Sequence, residues 1–195
     1  MRVLSGIEDI RDKSEFEKYY SAHESSLLEE SKWREMIHSL RLIKTPDEIE
    51  KIRKAIRVSH EALAHIENII QPGMYEYEIE SEIARIFRKH HLIEAYPTIV
   101  ASGQNTCILH YVEHSRQIKE GDLVLIDAGS EYMGYASDTT RTIFVGDSMP
   151  ERIQQIYESV MYIKKIAENA LIPNRFLTEY EKIVRNAMNL ELQKL

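Results

Sequence analysis

The chain has 195 residues, enough for one substantial domain with a small appendage, and its 43% hydrophobic and 29% charged residues are typical of a soluble globular protein. A formal net charge of −7 without a basic cluster argues against nucleic-acid binding, and no window approaches the roughly 18 apolar residues of a membrane span. The single cysteine, Cys107, excludes a disulfide framework, and we expect it to be buried in a cytoplasmic protein.

The first half of the chain predicts an appendage followed by two helices. Residues 1–40 are mostly polar and are interpreted as an N-terminal remnant or appendage, with residues 41–195 as the main domain. Thr45, Pro46 and Glu48 are typical of a helix start, and this helix should run to Pro72. A second helix is predicted over residues 76–91, with its apolar residues on one side.

The middle and end of the chain predict strands and then two more helices. Residues 97–102 are strand-like, and residues 107–111 predict a second strand or extended segment. Pro150 opens a third helix with a predicted buried stripe, and Thr178 and Glu181 form a capping box that should begin a fourth. The stripe comprises Ile153, Ile156, Tyr157, Val160, Ile163 and Ala167. This element order predicts an α+β fold with helices on one side of an antiparallel sheet.

Residues 121–145, GDLVLIDAGSEYMGYASDTTRTIFV, predict a β-hairpin at the centre of the domain. The first strand ends in Asp127, and the second carries Asp138, Thr140 and Thr142 at alternate positions. A turn centred on residues 132–133 places the two aspartates directly opposite each other, and one centred on residues 133–134 places them on a diagonal of the same face. A three- or five-residue loop without a bulge sends them to opposite faces. On one face, their Cβ atoms would lie roughly 4.5 to 8 Å apart.

Two ionised carboxylates this close repel each other, which leaves three ways to stabilise them. They can share a proton, pair with a basic residue such as Arg141, or bind a cation; the simplest alternative is two surface aspartates near a turn. The apolar strand that leads into Asp127 indicates burial and favours the cation. Carboxylate oxygens suit Mn²⁺ or Mg²⁺ and tolerate Co²⁺ or Zn²⁺.

The segment ILHYVEHSRQIKEGDLVLIDAGSEYMGYASDTTRTIFVG resembles the Xaa-Pro aminopeptidases, proline-specific metallopeptidases of the pita-bread fold. The similarity extends from about Trp33 to the C-terminus and includes LRLIKTPDEIEKIRKA and PGMYEYEIE. It implies a dinuclear metal site, commonly with Mn²⁺, in which Asp127 binds one ion and Asp138 bridges both. It further implies that His110 positions a peptide with proline at its second position. A hydroxide between the two metals would attack the peptide carbonyl, and Thr140 and Thr142 would orient the carboxylates.

The same resemblance shows what this chain lacks. The family's site needs a further histidine and two glutamates, and no histidine follows His114. The chain therefore resembles the first half of the catalytic domain, and we expect it to be inactive alone. It would be a fragment, a split-gene half completed by another chain, or a decayed gene product. A complementary chain or a homo-oligomer is the expected partner. One alternative is a non-catalytic relative that binds a protein or peptide partner through the unclosed edge. Another is Mg²⁺-dependent phosphoryl chemistry at Asp127 and Asp138, although a phosphate-binding glycine loop is missing.

Overall fold

The computed structural model describes residue 34 and residues 37–195. The chain divides into two units between Arg53 and Lys54, and residues 37–42 of the first unit are helical. The appendage predicted over residues 1–40 lies almost wholly outside the described residues, so its boundary stays a prediction.

Helices α1 (Pro46–Ile69) and α2 (Glu76–Lys89) begin where the sequence predicts. The Thr45 amide donates to the Glu48 carboxylate at 2.6 Å and the Glu48 amide donates to the Thr45 hydroxyl at 3.4 Å, which confirms the capping box. Helix α2 is closed in a similar way at its start, where the Tyr75 amide donates to Glu78 at 2.6 Å. It ends two residues before the predicted boundary, and His91 adopts a left-handed φ of 62°.

In the described part of the chain, six strands form two antiparallel sheets of three strands each. One sheet has the order β2-β3-β6 and the other β1-β4-β5. The strands are β1 (Ile93–Glu94), β2 (Ile99–Ser102), β3 (Leu123–Ala128), β4 (Ser130–Tyr132), β5 (Tyr135–Ala136) and β6 (Thr139–Phe144). The predicted hairpin is therefore split: its two arms pass from one sheet into the other at Gly129 and at residues 137–138.

The turn of this ribbon is centred on Met133 and Gly134. Tyr132 pairs with Tyr135 on either side of it, and the same register continues to the pair of Leu123 with Phe144. Met133 has φ 52° and Gly134 has φ 81°, the two positive values of a type I′ turn, whose twist matches the flanking strands.

The hydrophobic core lies in the second unit, between one face of β3 and the inner faces of α1 and α2. Alternate residues of β3, namely Val124, Ile126 and Ala128, are buried, whereas the intervening ones are half-buried. The helices contribute fully buried residues that include Ile66, Ile79, Ile83 and Phe87. Because the core occupies only one face of β3, Asp127 is left on the other face. The packing of helices on one side of an antiparallel sheet confirms the α+β prediction.

The segment after β2 differs from the prediction. Gly103–Cys107 forms a 3-10 helix followed by a turn, so the strand or extended segment predicted over residues 107–111 is wrong. Local hydrogen bonds replace strand pairing here: the Thr106 hydroxyl donates to the Gly103 carbonyl at 2.8 Å, and the Ile108 amide donates to the Asn105 carbonyl at 3.0 Å. Cys107 is exposed, and its predicted burial is wrong as well.

Helices α3 (Glu151–Ala170) and α4 (Leu177–Leu192) follow the sheets and pack against each other. Pro150 precedes α3 as predicted, but α4 begins one residue before Thr178, so the capping box predicted there is wrong. Much of the stripe predicted to be buried on α3 is exposed, because α4 covers only part of it; Ile156, Tyr157 and Val160 are 42%, 43% and 56% exposed. Across the described residues, the helices all fall short of the length and apolarity that crossing a bilayer requires.

Candidate metal site

Asp127 and Asp138 lie on the same face of the ribbon, on a diagonal. Asp127 is directly opposite Thr140 in the β3–β6 ladder, and Asp138 lies two residues before Thr140. This is the arrangement expected for a turn centred on residues 133–134, one of the two that the sequence left open. Diagonal Cβ atoms lie roughly 7–8 Å apart, close enough for both carboxylates to contact one small group.

The group that joins the two carboxylates is the hydroxyl of Tyr96. It lies 2.7 Å from Oδ1 of Asp127 and 3.1 Å from Oδ1 of Asp138, and it is the donor in both contacts. Burial raises the pKa of Tyr96 well above its ordinary value, and the hydrogen bond to Asp127 raises it further, so the phenol stays neutral. The sequence analysis missed Tyr96; the signal was an aromatic residue just before Pro97 and the strand that pairs with β3.

The basic partner considered for the aspartates is engaged elsewhere. The Arg141 guanidinium donates to the carbonyl oxygen of Thr140 at 2.8 Å. Asp127 is half-buried and Asp138 is exposed, so the face on which they lie opens to solvent. The two negative charges are therefore held together by a neutral hydroxyl in a position that a cation can reach.

The donors at this site fit a hard divalent cation in kind but not in number. Carboxylate oxygens suit such ions, which take six or more ligands, some of them waters. In the part of the chain that the structure describes, no group of three His, Cys, Asp or Glu side chains is arranged to hold a metal ion. Asp127 and Asp138 can thus supply two ligands of a metal centre, and the others must come from elsewhere.

Gly129 allows the pieces of the site to approach one another. A Cβ atom at this position would lie 2.0 Å from the Ser137 carbonyl oxygen and 2.7 Å from the Tyr96 ring. Both distances are far inside van der Waals contact, so no other residue fits there without displacing the segment that carries Asp138.

The other predicted site residues are Thr140 and Thr142 on the ribbon and His110 outside it. Thr140 faces Asp127 across the ladder and Thr142 faces Leu125, so both share the face of the aspartates. Their role in orienting the carboxylates stays a prediction. His110 is exposed, with a left-handed φ of 53°, in the segment between the 3-10 helix and β3. Its role in positioning a peptide also stays a prediction.

The segment that follows His110 is fastened to the first residue of α2, Glu76, which is fully buried. The Tyr111 hydroxyl donates to its carboxylate at 2.8 Å, the Arg116 amide at 3.0 Å, and the Ser102 amide and hydroxyl at 2.6 and 2.7 Å. Burial acts to raise the pKa of Glu76, but these hydrogen bonds outweigh burial and hold the pKa below its ordinary value. Sequence analysis also missed this residue, because its donors are spread over residues 102–116.

Comparisons with known proteins describe what this chain is similar to. The model of metallopeptidase family M24 matches residues 50–194. The Xaa-Pro aminopeptidase of Escherichia coli strain K12 is 45% identical over 132 residues, which cover 66% of this chain and 30% of that protein. The Xaa-Pro dipeptidase of Pyrococcus furiosus is 37% identical over 182 residues, which cover 92% of this chain and 51% of that protein.

Solved structures agree with the sequence matches. A variant of Escherichia coli aminopeptidase P in complex with substrate superimposes with a TM-score of 0.80 at 39% identity, over 84% of this chain and 37% of that one. Proline aminopeptidase P II from Yersinia pestis gives a TM-score of 0.80 at 38% identity, over 84% and 38%. The chain thus spans between about a third and a half of the length of these relatives.

Proposed function

The chain belongs to metallopeptidase family M24 and has the pita-bread fold of the aminopeptidases P, and from this premise we propose that it contributes the first two metal ligands of a Xaa-Pro aminopeptidase. The family match and the identity to a Xaa-Pro aminopeptidase confirm the resemblance to this family that the sequence predicted. The observation that supports the proposal most directly is the contact of both Asp127 and Asp138 with the hydroxyl of Tyr96.

In this proposal, residues of the chain bind the divalent cations, orient the carboxylates and position the peptide. Asp127 and Asp138 would bind divalent cations, with Mn²⁺ as the proposed ion and Co²⁺ or Zn²⁺ as alternatives. The neutral Tyr96 would fix the rotamers of both carboxylates, so that their free oxygens point to one place. Thr140 would support Asp127 from the opposite strand, and His110 would position the peptide. When bound, the cations supply Lewis-acid polarisation of the scissile carbonyl and a water nucleophile at neutral pH.

The proposed substrate is a peptide with proline at its second position, acted on in the cytoplasm. The relatives include both aminopeptidases and dipeptidases, and the chain resembles the former in the segment around the aspartates. Because two carboxylates do not complete a metal centre, we expect turnover only when a second chain or segment supplies the remaining histidine and glutamates.

A peptidase assay with and without complementation tests this proposal. The chain and Mn²⁺ would be incubated with an Xaa-Pro-Yaa peptide, with an Xaa-Ala-Yaa control and with an Xaa-Pro dipeptide, before and after adding a chain that carries the missing ligands. We expect turnover of the Xaa-Pro-Yaa peptide only after complementation, and none with Asp138→Asn. No gain in turnover would refute the proposal, and preference for the dipeptide would assign a dipeptidase instead.

A second candidate function is a non-catalytic relative that binds a peptide or protein partner. It is favoured by the fact that the described residues bring no third metal-binding side chain to the aspartates. The same assay separates the two, because a binding module would retain the peptide intact, whether or not the complementary chain is present.

A further inference from the structure

Three buried serines lie directly behind the aspartate pair. Ser59 comes from α1, Ser130 opens β4, and Ser137 precedes Asp138; they are 0%, 0% and 4% exposed. No step of the proposed chemistry uses them. Buried hydroxyls are costly unless they are hydrogen-bonded, so three together in a small core are a feature that needs an explanation.

The three hydroxyls form a closed network, which we call the serine cluster. The Ser59 and Ser137 hydroxyl oxygens are 2.8 Å apart, and Ser59 Oγ donates to Ser130 Oγ at 3.2 Å. Ser130 Oγ donates to the Ala55 carbonyl at 3.0 Å, and Ser137 Oγ donates to the Ser130 carbonyl at 3.0 Å. The Ser130 amide also donates to the cluster, at 3.0 Å to Ser59 Oγ and 2.9 Å to Ser137 Oγ. Every hydroxyl therefore has an acceptor within the cluster or on α1.

The cluster lies where the ribbon passes from one sheet to the other. The β3–β6 ladder ends at the pair of Ala128 with Thr139, and the β4–β5 ladder begins at the pair of Glu131 with Ala136. Between them the backbone is joined by the Ser137 amide, which donates to the Ser130 carbonyl at 2.9 Å. The serine cluster adds side-chain hydrogen bonds at the point where the ladder is interrupted and ties both arms to α1.

From this position we infer that the serine cluster is a positioning device that sets the offset of Asp138 relative to Asp127. Ser137 is bonded to Asp138 in the chain, and its carbonyl lies against Gly129, two residues after Asp127. A shift of either arm at this crossing would move one carboxylate away from the Tyr96 hydroxyl. The consequence for cation binding rests on the proposed function, whereas the offset itself is a property of the metal-free chain.

The test compares Ser137→Ala and Ser59→Ala with the matched control Ser102→Ala. Ser102 is also fully buried and its hydroxyl donates to Glu76 at 2.7 Å, so the control removes a comparable hydrogen bond in the same domain, away from the aspartates. The metal-free readouts, by NMR on the full chain, are the exchange rate of the Ser137 amide and the contact of the Tyr96 ring with Gly129. The cation readout is the Mn²⁺ concentration that broadens the Asp127 and Asp138 amide signals.

We expect Ser137→Ala to speed hydrogen exchange of the backbone amide at position 137 by roughly tenfold and to weaken the Tyr96–Gly129 contact. Ser59→Ala is a milder second variant that serves if Ser137→Ala does not fold. The Mn²⁺ concentration needed to broaden the Asp127 and Asp138 amide signals should rise by about tenfold or more in Ser137→Ala and in Ser59→Ala. It should stay unchanged in Ser102→Ala. Equal behaviour of all three variants would overturn the inference. If the wild-type chain shows no Mn²⁺ broadening, the proposed function fails, and the metal-free readouts alone decide the role of the cluster.

Discussion

The Tyr96 hydroxyl donates a 2.7 Å hydrogen bond to the carboxylate of Asp127, and the same oxygen lies 3.1 Å from Asp138. One neutral donor thus holds two like charges on one face. In the metal-free chain the hydroxyl stabilises this arrangement, because its hydrogen bonds offset the repulsion between the two carboxylates.

Tyr96→Phe should therefore lower the free energy of unfolding of the metal-free chain by about 1 kcal/mol, since the ring keeps its packing and only the charge-assisted hydrogen bonds are lost. Urea denaturation at pH 7 measures the change. Tyr157→Phe is the control, because Tyr157 is 43% exposed on α3. Similar small losses for the two variants would mean that the Tyr96 hydroxyl does not stabilise the pair.

Glu76→Gln should destabilise the chain by about 2 kcal/mol at pH 7, because a fully buried carboxylate that accepts from Ser102, Tyr111 and Arg116 becomes an amide with a surplus donor. The loss should depend on pH. Folding lowers the pKa of Glu76, so the contribution of its carboxylate to stability is fully present above the pKa of the unfolded chain and disappears as the pH falls through the lower folded-state pKa.

Urea denaturation of wild type and Glu76→Gln from pH 7 down to pH 3 tests this dependence. The difference in unfolding free energy should shrink at acid pH. Glu158→Gln on the exposed surface of α3 serves as the control and should change stability by less than about 0.5 kcal/mol throughout. A difference for Glu76→Gln that stays constant with pH would show that folding does not lower the pKa of the Glu76 carboxyl.

Gly129→Ala should cost about 3 kcal/mol, because the added Cβ would lie 2.0 Å from the Ser137 carbonyl oxygen. Gly134→Ala is the comparison: that position is open, with no atom within 4 Å of the Cβ, but its φ of 81° makes alanine strained by about 1 kcal/mol. Thermal unfolding measures both. If Gly129→Ala is the milder change, the two arms of the ribbon have room to separate and the site is not fixed at this crossing.

Met133→Asn should raise the free energy of unfolding by about 0.5–1 kcal/mol. Met133 has φ 52° at the first central position of the type I′ turn, where asparagine is favoured, and its side chain is 69% exposed, so little burial is lost. Met188→Asn, at a 46% exposed position within α4, should instead be neutral or destabilising because asparagine is a weaker helix former. Denaturant unfolding of the two variants compares them, and destabilisation by Met133→Asn would contradict the assigned turn.

The features predicted correctly from the sequence depend on local signals. The start of α1 follows from Thr45 and Glu48, and the shared face of Asp127 and Asp138 follows from strand alternation once the turn is known. Whether Asp127 and Asp138 lie directly opposite each other or on a diagonal depends on where the turn is centred. The presence of Met133 and Gly134 in the sequence does not by itself fix that position.

The features that sequence analysis missed depend on contacts between distant residues. Tyr96 reaches the aspartates from 31 and 42 positions away, and Glu76 collects donors from 26 to 40 positions away. The exposure of Cys107 follows from a 3-10 helix held by hydrogen bonds of Thr106 and Asn105, which compete with strand formation in an apolar stretch.

The idea on which the rest depends is that Asp127 and Asp138 together make a divalent-cation site. A calorimetric titration of the purified chain with Mn²⁺ tests it, with Asp127→Asn and Asp138→Asn as variants and the exposed Asp147→Asn as the control. We predict one weak binding event that either aspartate variant abolishes and the control retains. Binding that persists unchanged in Asp127→Asn, or tight binding of two ions by this chain alone, would contradict the assignment.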